Sequence, residues 1–327
     1  MIYGHDRAVA QFLSAWTSRT LHHAWLLAGP RGIGKASFAR AAVRRILADA
    51  AGPPSDLPGI ETARDHPIVR LLDAGSHPDF RMLERIERKP PASGLARNIS
   101  VEQVRSLGGL LGSTPFLSPW RAIIIDAADD LEPPAANALL KMLEEPPANC
   151  VFLLVSHAPG RLLATIRSRC RKLDFAPLSD AAMTSVLEAV LPASTASDRT
   201  RLIASAMGSP GRAMAFAALD LAPLESEALA ILREGDPTNA RRSKLAQSLA
   251  LKASADRYAA FLDLVPTLIA REARTLTGAH RARALDAYAR ARQTSTLAPR
   301  LSLDPAATAF QLGSILASIA DPASLKL

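Results

Sequence analysis

Cysteine is nearly missing from this chain of 327 residues: Cys150 and Cys170 are the only two, and both sit in apolar stretches. Two thiols are too few for a cysteine-only zinc site, and such sparse usage suits a reducing compartment better than a disulfide framework. Both are expected to pack as small buried hydrophobes. No run of 18 apolar residues occurs, which argues against a membrane-spanning helix. The opening Met1-Ile2-Tyr3-Gly4-His5-Asp6 lacks the basic and apolar blocks of a secretory signal, so a soluble, cytoplasmic protein without membrane association is expected. Neither an internal repeat nor a long disordered tail is expected.

Two single side chains are the more telling absences. Gly29-Pro30-Arg31-Gly32-Ile33-Gly34-Lys35 has the spacing of a phosphate-cradling loop, in which backbone N–H groups and a helix N-terminus meet an anion. Ala36 stands where such loops carry the Ser or Thr that holds magnesium. Ser37 does not replace it, because one step along a helix turns a side chain by about 100°. Further on, Ile123-Ile124-Ile125-Asp126 reads as a buried strand ending in a metal-binding aspartate, yet Ala127 follows in place of an acid that positions water. The two losses predict that the chain does not hydrolyse ATP by itself. ATP or ADP is expected to bind weakly or not at all to Gly29, Gly32, Gly34, Lys35 and Asp126, and no resident cofactor is expected. A second reading stays open, in which the loop only closes a strand-to-helix turn and Asp126 caps the next turn or pairs with Lys35. Asp129 and Asp130 read as N-caps.

What is present is an ordinary globular composition, 48% hydrophobic and 21% charged, on a chain long enough for two or three domains. Up to about residue 175, short apolar runs alternate with helical patterns, the signature of a parallel sheet covered by helices. The expected strands are Ala24 to Ala28, Phe80 to Leu83, Ala122 to Ile125, Val151 to Val155 and Arg171 to Phe175, with a helix over Lys35 to Leu47. The segments Gly52 to Gly59 and Lys89 to Gly94 read as surface loops. After Pro177 no strand is expected; Gly208-Ser209-Pro210-Gly211 breaks or caps a helical run, and beyond Ala222 about five amphipathic helices follow. The net charge of +8 invites a nucleic-acid reading. Its densest stretch holds Arg271, Arg274, Arg281, Arg283, Arg290 and Arg292 against Glu272 and Asp286, and reads either as a surface for DNA or an acidic partner or as a solvated helix face.

Four ordered stretches carry a resemblance: Asp126-Ala127-Ala128-Asp129-Asp130-Leu131, then Ala135-Ala136-Asn137-Ala138-Leu139-Leu140-Lys141, then Leu143-Glu144-Glu145-Pro146-Pro147, then Thr165-Ile166-Arg167-Ser168-Arg169-Cys170. Together with the glycine-rich loop and Ile99 to Arg105, this series resembles the AAA+ subunits of the bacterial DNA polymerase III clamp loader, and among them those with a degenerate ATP site. The resemblance implies an α/β AAA+ P-loop module with a five-stranded parallel sheet over residues 1–176, a small helical lid over 177–220 and an all-α oligomerisation collar over 221–327. It implies that Arg169 reaches the ATP of an adjacent subunit, with Arg167 excluded by the Ser-Arg-Cys match. A surface salt bridge is the competing role for Arg169. The family often carries a four-cysteine zinc module after the phosphate-loop helix; residues 48–98 hold no cysteine, so no zinc is expected. Ser156 matches a position that senses the terminal phosphate in ATP-using relatives, or it only caps. Arg212 is displaced by one residue from the lid arginine of ATP-using relatives, which leaves it a helix-start or interdomain contact. Leu139, Leu140 and Leu143 are expected in the core, with Lys141 facing a neighbour, a DNA phosphate or solvent.

The implied function is a catalytically silent stator that works with a motor subunit and a clamp-opening subunit, and through them with the sliding clamp and primed DNA. Two other functions compete with it: an active ATPase of the same family, which requires Ala36 and Ala127 to be tolerated, and a freestanding basic DNA-binding protein.

Overall fold

The computed structural model describes residues 2–87 and 94–320, so most of the segment read as a loop from Lys89 to Gly94 lies outside the described residues. The chain divides into two compact units, Met1–Val186 with Gly208–Pro210, and Leu187–Met207 with Gly211–Leu327.

The first unit is built on a parallel sheet. Its elements run α1 (Asp6–Thr17), β1 (Ala24–Ala28), α2 (Lys35–Ala51), α3 (Pro67–Asp73), β2 (Phe80–Glu84), α4 (Val101–Gly112), β3 (Arg121–Asp126), α5 (Pro133–Glu144), β4 (Cys150–Ser156), α6 (Ala164–Ser168), β5 (Arg171–Asp174) and the start of α7 (Asp180–Val190). The strand order is β2-β3-β4-β1-β5 and every pairing is parallel. All of β1 and β4 is buried, as is β3 up to Ile125, which is why these three read as unbroken apolar runs. The edge strands bury one residue each, Leu83 in β2 and Leu173 in β5. Each sequence-derived strand is found, four of the five with ends shifted by one residue; β5 stops at Asp174, one short of Phe175.

Alternation along β1 sends its side chains to opposite faces. Ala24 and Leu26 join Ile123, Ile125, Phe152 and Leu154 under Leu107 of α4, Leu139 and Leu143 of α5 and Ile166 of α6. Leu140 is partly buried against the same cluster. On the other face Trp25 begins an aromatic chain: its ring lies 5.1 Å from Phe12, which lies 5.5 Å from Phe38, which lies 5.1 Å from Phe175, which lies 4.8 Å from His5. Edge-to-face contacts of this kind add to the burial of the rings. A capping box starts α4, with Ser100 Oγ accepting from the Gln103 N–H while Gln103 Oε1 accepts from the Ser100 N–H at 3.1 Å.

The surface loop after α2 is pinned by a buried arginine. Arg45 donates to the carbonyls of Ser55 (2.8 Å), Leu57 (3.2 Å) and Glu61 (3.1 Å) and to the Asp49 carboxylate (2.8 Å), which also accepts from the Ser55 N–H and the Trp16 indole. One guanidinium thus gathers three loop carbonyls, a use of the planar five-donor fork that lysine lacks.

The second unit contains the later part of α7 with α8 (Ala196–Ala206), α9 (Pro210–Ala218), α10 (Ala222–Glu234), α11 (Ala240–Ala250), α12 (Ala255–Ala273), α13 (Gly278–Leu301) and α14 (Pro305–Ala317). Among its described residues it is all helix and turn, as the sequence predicts beyond Pro177. Leu224, Ile231, Leu245, Leu249, Phe261, Leu264, Leu268, Leu312 and Leu316 form its buried interior. Buried polar contacts join α11 to α14: Arg242 donates to Asp236 Oδ2 and to Ser314 Oγ, both at 3.0 Å, and stacks over Phe310 at 5.4 Å. Gly313 makes the room, because a Cβ there would lie 2.8 Å from Arg242 Cγ. Among the described residues no helix is long and apolar enough to cross a membrane.

Candidate functional site

The strand order places a switch point at β1: the chain leaves β1 toward β2 on one side and jumps from β4 over β1 to β5 on the other. In open parallel sheets such a point opens a crevice at the C-terminal ends of the strands. Gly29 to Gly34 follow β1 there, Ser156 ends the neighbouring β4 with His157 next after it, and Asp126 ends β3 beyond that. The register sets Ala28 beside Ser156 and beside Asp174, and Asp126 beside Val155. Gly29, Gly32, Gly34, Lys35 and Asp126 are therefore brought together.

Glycine at position 29 is required by close packing, since a Cβ there would lie 2.2 Å from the Phe175 carbonyl oxygen. Gly34 (φ 104°) leads into α2, and the loop is braced from behind by His5, whose Nε2 lies 2.6 Å from the Ile33 carbonyl. Burial lowers the His5 pKa. Nothing in the sequence pattern marks His5 for this role.

Lys35 is buried and turns back on its own loop. Its ammonium donates to the carbonyl of Gly29 at 2.6 Å and to that of Pro30. Burial pulls its pKa down to about 8 against the opposing pull of Asp126 and Asp129. The expected pairing of Asp126 with Lys35, or its capping of the next turn, is not what the structure forms: among the described residues the Asp126 side chain makes neither contact, and the ammonium is satisfied by carbonyls. Burial raises the Asp126 carboxyl, with Glu84 adding to the rise and Arg40 and Lys35 opposing it.

The N-cap reading of Asp129 and Asp130 is also corrected. The Asp129 carboxylate accepts from Ser156 Oγ (2.9 Å), the His157 N–H (2.5 Å) and the Ala158 N–H (3.2 Å), so it ties the turn after β3 to the end of β4. Asp130 pairs with Arg85 at 3.2 Å. Glu132, not either aspartate, is the residue at the N-cap of α5. The Ser156 hydroxyl is fully buried and spent on Asp129. Burial and Lys35 lower the His157 pKa to about 4.

At the two positions where phosphate-loop sites hold magnesium and the attacking water, this chain offers no side-chain oxygen donor. Position 36 offers a methyl group, position 127 another, and the Ser156 hydroxyl donates to Asp129. Among the described residues no group of three or more His, Cys, Asp or Glu side chains is placed to hold a metal ion. Cys150 is buried and Cys170 partly so, and burial pushes both thiols up to about 12.

Arg169 lies elsewhere. It caps the C-terminus of α6 and enters β5 at the end where Arg171 pairs with Trp25, whereas the glycine loop follows the other end, where Ala28 pairs with Asp174. Three steps of about 3.3 Å along β5 put at least about 10 Å of strand between the two ends. The arginine stands on the opposite rim of the sheet from its own chain's phosphate loop. Its Nη1 donates to the Thr165 carbonyl at 3.1 Å and its Nη2 pairs with Glu144 at 2.8 Å, so the salt bridge weighed in the sequence is present. Arg167 and Lys141 are exposed.

The basic stretch is largely occupied within its own unit. Arg271 pairs with Glu225 (3.1 Å), Arg283 bonds His280 (3.0 Å), Arg290 pairs with Asp286 (3.0 Å), and Arg292 lies over Tyr288 at 5.8 Å; Arg274 and Arg281 are exposed. Arg212 sits in the first turn of α9, donates to the Ala206 carbonyl at 3.4 Å, and has its pKa lowered by burial. Ser209 Oγ donates to the Arg31 carbonyl at 3.1 Å.

A five-stranded parallel sheet with a glycine-rich loop after β1, an aspartate ending β3 and helices on both faces defines the first unit as an AAA+ P-loop module. The chain belongs to the family described as DNA polymerase III, delta subunit, whose model matches residues 4–179. Its curated relatives include the DNA polymerase III subunit delta-prime of Pseudomonas aeruginosa, 38% identical over 192 residues that make up 58% of this chain and 53% of the relative. The delta-prime subunit of Escherichia coli is 33% identical over 195 residues, 60% of this chain and 54% of the relative. The chain thus spans about half the length of the curated relatives it matches. A solved DNA polymerase III gamma subunit-related protein of Thermotoga maritima matches with a TM-score of 0.46 at 16% identity, over 95% of this chain and 98% of that one.

Proposed function

We propose that this chain is a catalytically silent stator of the DNA polymerase III clamp loader: it lends Arg169 to the ATP site of an adjacent motor subunit and takes part in placing the sliding clamp on primed DNA. The observation that carries this reading is the separation of two parts that an ATPase working alone needs together. The phosphate loop is closed on Lys35 and lacks the hydroxyl and acid of phosphoryl transfer, while the arginine is held on the far rim. A planar, permanently charged fork there suits a phosphate supplied by a neighbour. Residues 1–176 act as the ATPase-like module, 177–220 as a lid and 221–327 as the collar that joins other subunits, with the complex working in the cytoplasm. The basic stretch supports this reading over a freestanding DNA binder, because four of its six arginines already have partners within their own unit.

The test is assembly. Mixed with purified motor and clamp-opening subunits, the full chain is expected to elute with them as one complex by size exclusion. Elution of the chain alone, with tight and steeply salt-dependent duplex binding, would favour the freestanding reading instead.

A further inference from the structure

We infer that Glu144 is a positioning residue for Arg169, a role that rests on the donated-arginine reading above. Each partner is fixed by its neighbour in the sequence: Leu143, beside Glu144, and Ile166, three residues before Arg169, are both core residues. The Leu143 carbonyl also lies 3.1 Å from His23 Nε2, which ties the end of α5 to the residue before β1. Glu144 therefore projects from a rigid helix end toward an arginine on another short helix.

Counting donors shows what the contact does. A guanidinium has five N–H groups. One on Nη1 goes to Thr165 O and one on Nη2 goes to Glu144, so three remain for a phosphate while the arginine stays anchored. The pair restrains the fork without consuming it. The two side chains are 35% and 47% exposed, so the bridge adds little to stability. Its value is orientation: it removes rotamer freedom that a long arginine would otherwise lose on meeting the phosphate.

The experiment is a double-mutant cycle in the reconstituted clamp loader, reading ATP turnover at saturating ATP together with KM. Glu144→Ala is expected to lower kcat about 2- to 5-fold, the range set by a half-exposed ion pair, with KM unchanged. Glu144→Gln, which keeps a carbonyl acceptor, is expected to fall between Ala and the native residue. In an Arg169→Ala background Glu144→Ala is expected to have no further effect. A native kcat in Glu144→Ala, or the same loss with and without Arg169, overturns the positioning role and leaves the donated arginine standing. Native turnover in Arg169→Ala alone overturns both.

Discussion

Arg169→Ala is expected to lower ATP hydrolysis at the adjoining motor site by about 10³-fold or more, the low end of what an arginine supplied in trans contributes to phosphoryl transfer. The magnitude follows from placement. A charge fixed before the reaction stabilises the charge developing on the phosphoryl oxygens without reorganisation at the moment of transfer. Arg169→Lys is expected to recover little of the loss, because an ammonium cannot keep bonds to Thr165 and Glu144 and still present a flat fork. The fold should be unaffected, since the side chain is about one-third exposed and its one ion pair is at the surface. Arg167→Ala removes an equal charge two residues away on an exposed position and serves as the control. Single-turnover hydrolysis in the reconstituted complex, with clamp and primed DNA present, distinguishes a loss of chemistry from a loss of assembly.

The second large effect concerns stability. Arg242→Ala is expected to destabilise the helical unit by about 3 to 5 kcal/mol, the usual consequence of removing one member of a buried ion pair. Asp236 is only 3% exposed in its side chain and Arg242 14%, so the carboxylate left behind keeps little access to water. That loss is a large share of a typical domain stability of about 5 to 15 kcal/mol. The pH dependence has a definite sign. Burial alone pushes the Asp236 carboxyl up, but the bonds from Arg242 and the Arg241 N–H outweigh it and hold the carboxyl below its ordinary value. A depressed carboxyl contributes stability above its unfolded pKa of about 3.9, and the contribution is lost as pH falls through the folded value. Denaturant unfolding should therefore show the deficit of Arg242→Ala largest near neutrality and narrowing below about pH 4. A constant deficit across that range would mean that the lost packing over Phe310 dominates instead.

Arg169 stands out in the sequence by its motif, but its bonds to Thr165 and Glu144 and the Arg242–Asp236 pair do not, and the reason is physical. Apolar patterning marks elements because burial acts on every third to fourth residue of a helix and on whole runs of a strand covered on both faces, so β1 is legible to the residue and the buried strands β3 and β4 to within one. The edge strand β2 carries a weaker version of the signal, with only Leu83 buried. The glycine loop was legible as well, because tight turns and close approach leave few residue types possible at Gly29. Polar partners have no such period. Nothing spaced along the chain says that Asp129 clamps the end of β4, that Arg45 gathers a loop, that His5 braces Ile33, or that Glu144 faces Arg169. Asp126 and Lys35 show the same limit from the other side: opposite charges in one crevice suggested a pair, and the ammonium found two carbonyls instead.

The proposed stator role begins at the phosphate-loop site. Ala36 and Ala127 stand at the positions where phosphate-loop sites carry groups for magnesium and water, and the Lys35 ammonium is bonded to the carbonyl of Gly29. The most direct measurement is ATP turnover by the purified chain alone in the presence of magnesium. The account predicts release of inorganic phosphate no faster than in buffer, with turnover arising only once the motor subunit is added. Sustained hydrolysis by the isolated chain that disappears in Lys35→Ala would contradict it.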